Sequence, residues 1–299
     1  MTTLITGATG LIGQRLIGTA EHVRILSRDP ERAMARLGDQ VDARRWEGGA
    51  SPLDVEALDG VETVIHLAGE PIAAARWTAA QMERIRASRV DGTRALVEAI
   101  RAAPARPRLL VCASAIGYYG DRGDDELPET AEPGEGFLSD VCVAWEEAAN
   151  EARALGVRVV TLRIGVVLAS DGGALEKMLL PFKMGVGGRL GNGRQWMPWV
   201  HIDDVVGLIK HAISCDELDG PMNAVAPGVI TNADFTRALG RALSRPTVFF
   251  VPRFALRAAM GQLSDLLFAS HRVVPMVAEG TGYTFTFREI EPALRDCVR

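Results

Sequence analysis

Three glycines at intervals of three, Gly7, Gly10 and Gly13 in GATGLIG, are the first residues whose type and spacing could do chemistry. A pyrophosphate seated on a helix N-terminus needs free backbone N–H groups and the positive end of the helix dipole. A Cβ at the points of closest approach would push it away. Gly7 allows the tight turn, Gly10 the approach, and Gly13 the packing of helix on strand. A second signal follows at Ser27-Arg28, where HVRILSRDP ends a strand with no carboxylate before Asp29. A ribose with a free 2′-OH is usually met there by Asp or Glu, whereas a guanidinium beside a hydroxyl suits a 2′-phosphate. The pair favours NADP(H) over NAD(H), and Asp29 reads as the N-cap of DPERAMARL, with Pro30 at the first helical position.

Groups able to move a proton are sparse. Tyr118 and Tyr119, in SAIGYYG, are candidate phenolic donors, with packed aromatics as the plain alternative. Only three of the 33 basic residues are lysine, and of these Lys177 could bring a cation to a cleft or simply be solvated on its helix. Arg189 and Arg194, in GGRLGNGRQW, could grip an anionic substrate bidentately. Trp196 and Trp199 could line a pocket or anchor a core. His201 and Asp203 could form a polar pair, but Asp203 capping the next helix, with His201 bonded locally, is the simpler reading. His66, alone in its strand, reads as structural. No Ser/His/Asp triad and no metal cluster can be assembled, and Cys112, Cys142, Cys215 and Cys297 lie too far apart for CxxC chemistry, with Cys112 and Cys142 in apolar, reduced-core settings.

The elements that would position these groups alternate. Thr2–Thr6 is a short buried strand, a helix follows Gly13 and is about a turn shorter than usual, and HVRILS is the next strand, so the glycines sit in a βαβ unit. Strands are also predicted at 41–46, 61–67, RLLVCASA and 157–168, with helices at 86–103 and 137–155. This is an α/β pattern implying a doubly wound parallel sheet covered on both faces. In such a sheet ligands lie at strand C-termini, which brings Leu67, Ala68 and Gly69 close to the cofactor. After Leu168 the pattern changes to a stretch with seven glycines, read as a helix and then a glycine-rich loop without GK[ST], followed by a helix opening at Asp203-Asp204. From Pro221 a smaller, partly helical lobe is expected. The predicted division is 1–168 for the dinucleotide domain, rejoined by 196–214, and 169–299 mainly for a substrate-facing lobe, with the substrate in the cleft between.

Composition sets the outer limits. With 47% apolar and 24% charged residues and a net charge of -5, the 299-residue chain is an ordinary globular one, which argues against nucleic-acid or anionic-membrane binding. The strand and glycine turn use the N-terminus at once and leave no room for a signal peptide, and no uncharged run is long enough to cross a bilayer. The expected location is cytoplasmic and the expected partner a small molecule, with monomer and homodimer both open.

Together GATGLIG, HLAG, SRVDGT, SAIGYYG, LRIGVVL, GRQWMPWVHIDD and NAVAP resemble the extended short-chain dehydrogenase/reductase superfamily. More narrowly they resemble its "epimerase family" branch, the SDR39U1-like and nucleoside-diphosphate-sugar-epimerase-like proteins, whose characteristic tail is similar to the stretch from about Phe249. The resemblance implies a Rossmann domain binding NADP(H), with Gly7, Thr9, Gly10, Leu11, Ile12, Gly13, Ser27, Arg28, Leu67, Ala68 and Gly69 near the cofactor. It places Arg163 and Ile164 near the nicotinamide end and Ser114 near the usual serine position, to within one residue.

The catalytic pattern departs from that superfamily. Its working enzymes carry Tyr-x-x-x-Lys, in which the lysine lowers the tyrosine pKa. Here Arg122, Gly123 and Phe287 stand four residues after Tyr118, Tyr119 and Tyr283. Aligning the helix on Glu146 puts Leu138 and Cys142 where tyrosine and lysine belong, and Arg89 replaces the asparagine before the helical GT. Three readings stay open: an NADP-dependent oxidoreductase on a small carbonyl or alcohol with Ser114, Tyr118, Tyr119 or Lys177 in unusual roles; an NADP(H)-binding sensor or interaction protein without catalysis; and a nucleotide-sugar epimerase. Arg189, Arg194, Trp196 and His201 are the candidates for contacts from the second lobe.

Overall fold

A computed structural model describes residues 2–298. Seven parallel strands form one sheet: β1 (Thr2–Thr6), β2 (His22–Ser27), β3 (Val41–Arg45), β4 (Val61–His66), β5 (Leu109–Ala115), β6 (Arg158–Ile164) and β7 (Gly220–Ala224). Their order is β7-β6-β5-β4-β1-β2-β3. This is the doubly wound Rossmann arrangement, and its order reverses between β1 and β4, where a ligand crevice opens. Successive side chains of a strand point to opposite faces. Leu4 accordingly joins one core with Leu110, Leu96 and Trp145, while Ile5 joins the other with Val111, Ile25 and Leu208. Burying each such side chain stabilises the fold by about 1.5–3 kcal/mol.

The covering helices are α1 (Leu11–Leu16), α2 (Pro30–Leu37), α3 (Ala79–Ala102), α4 (Phe137–Asn150) and, later in the chain, α6 (Ile202–Ser214). Between the last two, α5 (Gly173–Lys183) starts the second lobe, which α7 (Asn232–Leu243), α8 (Arg253–Met260) and α10 (Ile290–Cys297) complete, whereas α9 (Met276–Gly280) packs on β7 with Ala278 in the same core as Ile5. Part of this lobe has a core of its own, with Leu175, Phe182, Trp199, Phe235, Leu239 and Leu294.

Four elements differ from the sequence reading. Gly220–Ala224 is an edge strand of the main sheet, not the start of the second lobe, because an edge tolerates the missing N–H of Pro221. The strand expected over 157–168 breaks at Gly165, where a Cβ would lie 2.8 Å from Pro198 O; Val166–Leu168 then pairs with Trp199–His201. Helix α3 begins about two turns earlier than 86, at Ala79, after the N-cap Thr78, whose hydroxyl accepts from Gln81 N. Helix α6 is capped by His201, not Asp203: the ring Nδ1 accepts from Asp203 N at 3.2 Å.

Among the described residues no helix is long and apolar enough to cross a membrane, and no group of three His, Cys, Asp or Glu could hold a metal ion.

Candidate functional site

Two hollows meet the C-terminal edge of the sheet. The first, of about 410 Å³, lies at the ends of β1, β2 and β4 and is lined by Gly7, Thr9, Gly10, Ser27, Arg28, Leu67, Ala68 and Gly69. Gly7 has φ +69°, and a Cβ on it would meet Leu67 C at 2.8 Å. A Cβ on Gly13 would meet Gly7 O at 2.5 Å, so helix and turn touch backbone to backbone. Gly10 is different: its Cβ would find only Gly7 O, at 3.2 Å, and would otherwise occupy the hollow. Gly10 also caps α1 with no side-chain acceptor, which leaves first-turn amides for a ligand's oxygens. Leu11, Ile12 and Gly13 belong to α1 and are not in this lining.

At the rim, Arg28 is exposed, and its side chain has no hydrogen bond or ion pair among the described residues. The nearest carboxylate in sequence is spent elsewhere, since Asp29 Oδ1 accepts from Arg32 N at 3.0 Å to cap α2. Glu47, also at the rim, pairs with Arg45 at 2.9 Å. The opposite wall is held from behind. Leu67 N and Ala68 N both donate to Thr6 Oγ1 at 3.1 Å, so the Thr6 hydroxyl proton goes to His66 Nδ1, 2.7 Å away. The Thr93 hydroxyl donates to Arg89 O at 2.6 Å and therefore accepts from His66 Nε2 at 3.1 Å. This pattern fixes the Nε2–H tautomer. Burial pushes the His66 pKa down to about 4, so the ring is neutral and acts as a spacer. Arg89 Nη1 donates to Glu70 O at 2.9 Å and supports the Gly69–Glu70 rim.

The second hollow has a volume of about 480 Å³ and begins, along the chain, at Ile72, next to Pro71 of the first. Its floor includes Ala115, Gly117, Ile164 and Val166; its far walls include Met178, Trp196 and Met197; its roof is Met260, Leu263, Leu266 and Leu267. Arg76 hangs the roof from the first lobe, donating from Nη2 to Ala258 O and Ala259 O, both at 2.9 Å.

Behind the floor lies a buried polar network. Arg163 Nε and Nη2 donate to Glu146 Oε1 and Oε2, each at 2.9 Å, a bidentate pair with side chains 3% and 9% exposed. Burial works against the Arg163 charge, but its bonds to Glu146 and that carboxylate's charge raise its pKa. Arg163 Nη1 donates to Tyr119 OH at 3.0 Å, and Tyr119 OH donates to Asn223 Oδ1 at 2.7 Å. Asn223 Nδ2 in turn donates to Leu127 O and Val274 O. The Tyr118 ring lies 3.4 Å from the guanidinium carbon of Arg163. Ser114 Oγ donates to Glu146 Oε1 at 2.6 Å.

These placements sort the candidate residues. Ile164 and Trp196 line the second hollow, and Trp196 Nε1 donates to Asp124 at 2.8 Å. Tyr119 is fully buried and burial pushes its pKa up to about 12; Tyr118 is half-buried against Arg163; neither lines either hollow. Ser114 and Arg163 are buried in the network. Lys177, Arg189 and Arg194 are exposed and lie outside both linings. His201 stacks on Phe287, centroids 4.0 Å apart, and Trp199 is core. Leu138 faces the second hollow, while the Cys142 thiol is buried, and burial followed by the charge of Glu146 pushes it up to about 11. A neutral thiol thus occupies the position that resemblance assigns to a lysine. Sequence reasoning missed His271, which lines the second hollow, and the hydrophobic roof. The alternation of FALRAAM and the run QLSDLL were the available signals for the roof.

This Rossmann sheet with its glycine turn has close counterparts. Residues 3–224 match the NAD dependent epimerase/dehydratase family, and residues 251–297 match a domain of unknown function, DUF1731. The chain belongs to the NAD dependent epimerase/dehydratase family. It is 39% identical to "Epimerase family protein Mb2239" of Mycobacterium bovis, over 97% of this chain and 95% of that one. It is 36% identical to "Epimerase family protein SDR39U1" of Mus musculus, over the full length of both. The crystal structure of human epimerase family protein SDR39U1 (isoform 2) with NADPH shares the fold at a TM-score of 0.86 and 31% identity, covering 100% of this chain and 99% of that one. Within the family the chain lies in the SDR39U1-like branch.

Proposed function

We propose that the chain binds NADP(H) in the first hollow and uses it to reduce a small carbonyl compound, or to oxidise the matching alcohol, in the second. The observation that carries this reading is Arg28: an exposed guanidinium without a protein partner, beside Ser27, at the rim of a glycine-floored cleft whose neighbouring carboxylate Asp29 is committed to a helix cap. Two charges on a 2′-phosphate would meet that guanidinium, as charge-assisted pairing favours. The human relative with NADPH supports the choice of dinucleotide. Gly7 and Gly10 leave the space a diphosphate needs, the α1 amides face it, and Leu67 and Ala68, held by Thr6 and His66, shape the path toward the second hollow. NADP(H) would supply or accept the hydride, and the proton taken up by the alkoxide or released by the alcohol would be exchanged with solvent water. This chain's part is to bind and to orient the two partners beneath an apolar roof.

A standard tyrosine–lysine proton relay is not part of this reading. Ser114 has one hydroxyl proton and directs it at Glu146, and Tyr119 directs its own at Asn223. These same observations favour a second reading, a dinucleotide sensor without turnover. An absorbance screen of NADPH oxidation against carbonyl compounds separates the two: tight NADPH binding with no turnover on any of them selects the sensor. The dinucleotide assignment is tested by calorimetry with Arg28→Ala, which should weaken NADP+ at least ten-fold and NAD+ less than two-fold. Equal losses would remove Arg28 from the 2′-phosphate.

A further inference from the structure

The second hollow has a chemical character that narrows what can enter it. No Lys, Arg, Asp or Glu is in its lining. Its polar lining residues are Gln195, Trp196, Asn232 and His271, and each of the first three has one polar group tied to the protein, whereas the His271 ring has none. Gln195 Nε2 donates to Leu190 O and Leu267 O, Trp196 Nε1 donates to Asp124, and Asn232 Oδ1 accepts from Leu190 N. His271 is 8% exposed, and its imidazole makes no hydrogen bond among the described residues. Its ring nitrogens are not among the sealed, unpartnered polar atoms, so they still reach accessible space. Its backbone is fixed, His271 N donating to Trp196 O at 3.2 Å within the segment that pairs Arg272–Val273 with Glu126–Leu127. Burial pushes its pKa down to about 4 despite the charge of Asp121, so the ring at neutral pH offers one N–H and one lone pair. An unpaired buried imidazole is unfavourable, and an oxygen supplied by a ligand would relieve it.

We propose that the second hollow takes an uncharged, mostly apolar ketone, aldehyde or secondary alcohol, and that His271 recognises its oxygen by a hydrogen bond. The inference rests on reading this hollow as the substrate site. It excludes a nucleoside diphosphate sugar there, because two phosphate charges would be stripped of water with no cation in the lining to meet them. His271 is here a binding and orienting residue. As a neutral imidazole it holds the oxygen in place, and no proton is assigned to it in the reaction.

The test is binding to the full chain saturated with NADP+, by calorimetry and by NMR of ring-labelled histidine. The probes are acetophenone, 4-phenyl-2-butanone and 2-heptanone, with ethylbenzene as the oxygen-free match and UDP-glucose as the charged competitor. At least one ketone should bind and shift the His271 ring resonances, while ethylbenzene binds without that shift. His271→Phe should weaken the ketone about ten-fold, the worth of one hydrogen bond, and leave ethylbenzene and NADP+ unchanged. His271→Asn, which keeps a donor and an acceptor, should stay within about three-fold of the parent. Should His271→Phe not fold, the ring shifts in the parent protein and the Asn variant decide. If NADP+ itself does not bind, the proposed function falls. If NADP+ binds but no ketone does, or UDP-glucose binds more tightly than every ketone, or ketone and ethylbenzene respond alike to His271→Phe, the present inference is overturned and the dinucleotide reading stands.

Discussion

Glu146→Gln is the most informative single change to the polar network. It removes one charge and leaves Arg163, with a side chain 3% exposed, as an uncompensated buried cation. Breaking such a pair from one side costs about 3–5 kcal/mol. At about 2.1 cal/mol/K per residue, a chain of 299 residues has an unfolding entropy of about 0.63 kcal/mol/K. The expected fall in thermal midpoint is therefore about 5–8 °C, read by near-UV circular dichroism and by scanning fluorimetry. Arg163→Met alone should also destabilise, because Glu146 keeps only Ser114 while Tyr119 OH and the Glu129 carbonyl lose a donor. The double variant Glu146→Leu with Arg163→Met, which removes both charges, should fall less than the sum of the two single losses. A loss under about 2 °C for Glu146→Gln, or simple additivity in the double variant, would refute the view that this pair holds the sheet's C-terminal edge.

Two further predictions concern the first hollow. Gly13→Ala puts a Cβ 2.5 Å from Gly7 O and 2.6 Å from Ala8 Cα, backbone atoms that cannot swing aside. It should cost about 1–3 kcal/mol and reduce NADP+ affinity at least ten-fold, whereas Gly18→Ala, which meets nothing within 4 Å, should do neither. His66 titrates near 6.5 when unfolded and near 4 when folded, so the unfolded chain binds the extra proton between those values. Its contribution is complete above pH 6.5 and is lost as pH falls toward 4, by about 3 kcal/mol in all. Denaturation at pH 7 and pH 4.5 should show a pH dependence in the parent protein that is smaller in His66→Gln; identical dependence in both would contradict the buried neutral ring.

What could be read from the sequence was local. GATGLIG lies between two short β-rich runs, and turn, helix and strand follow within 27 residues, so its geometry is set by neighbours in the chain. The Arg28 reading was equally local. The buried network was out of reach because its members come from distant stretches: Ser114 and Glu146 are 32 residues apart, Tyr119 and Asn223 104. Nothing in GYYG tells a reader that one tyrosine will face an asparagine and the other a guanidinium. The sequence places the chain from Pro221 onward in the second lobe, and only the finished sheet shows that an edge position was available for Gly220–Ala224. His271 was missed for a different reason: an isolated histidine carries no pattern, and what distinguishes it is the company it lacks.

The two hollows differ in how freely their walls can change. Residues under the floor are tied to one another across β5, β6, β7 and α4, so altering one disturbs the edge of the sheet as well. The roof is a late stretch of chain, moored to the rest of the cavity by Arg76 through the last carbonyls of α8. Leu263, Leu266 and Leu267 can therefore be enlarged, trimmed or reshaped with the glycine turn left alone. A protein built this way can change what its second hollow admits by editing the ceiling alone.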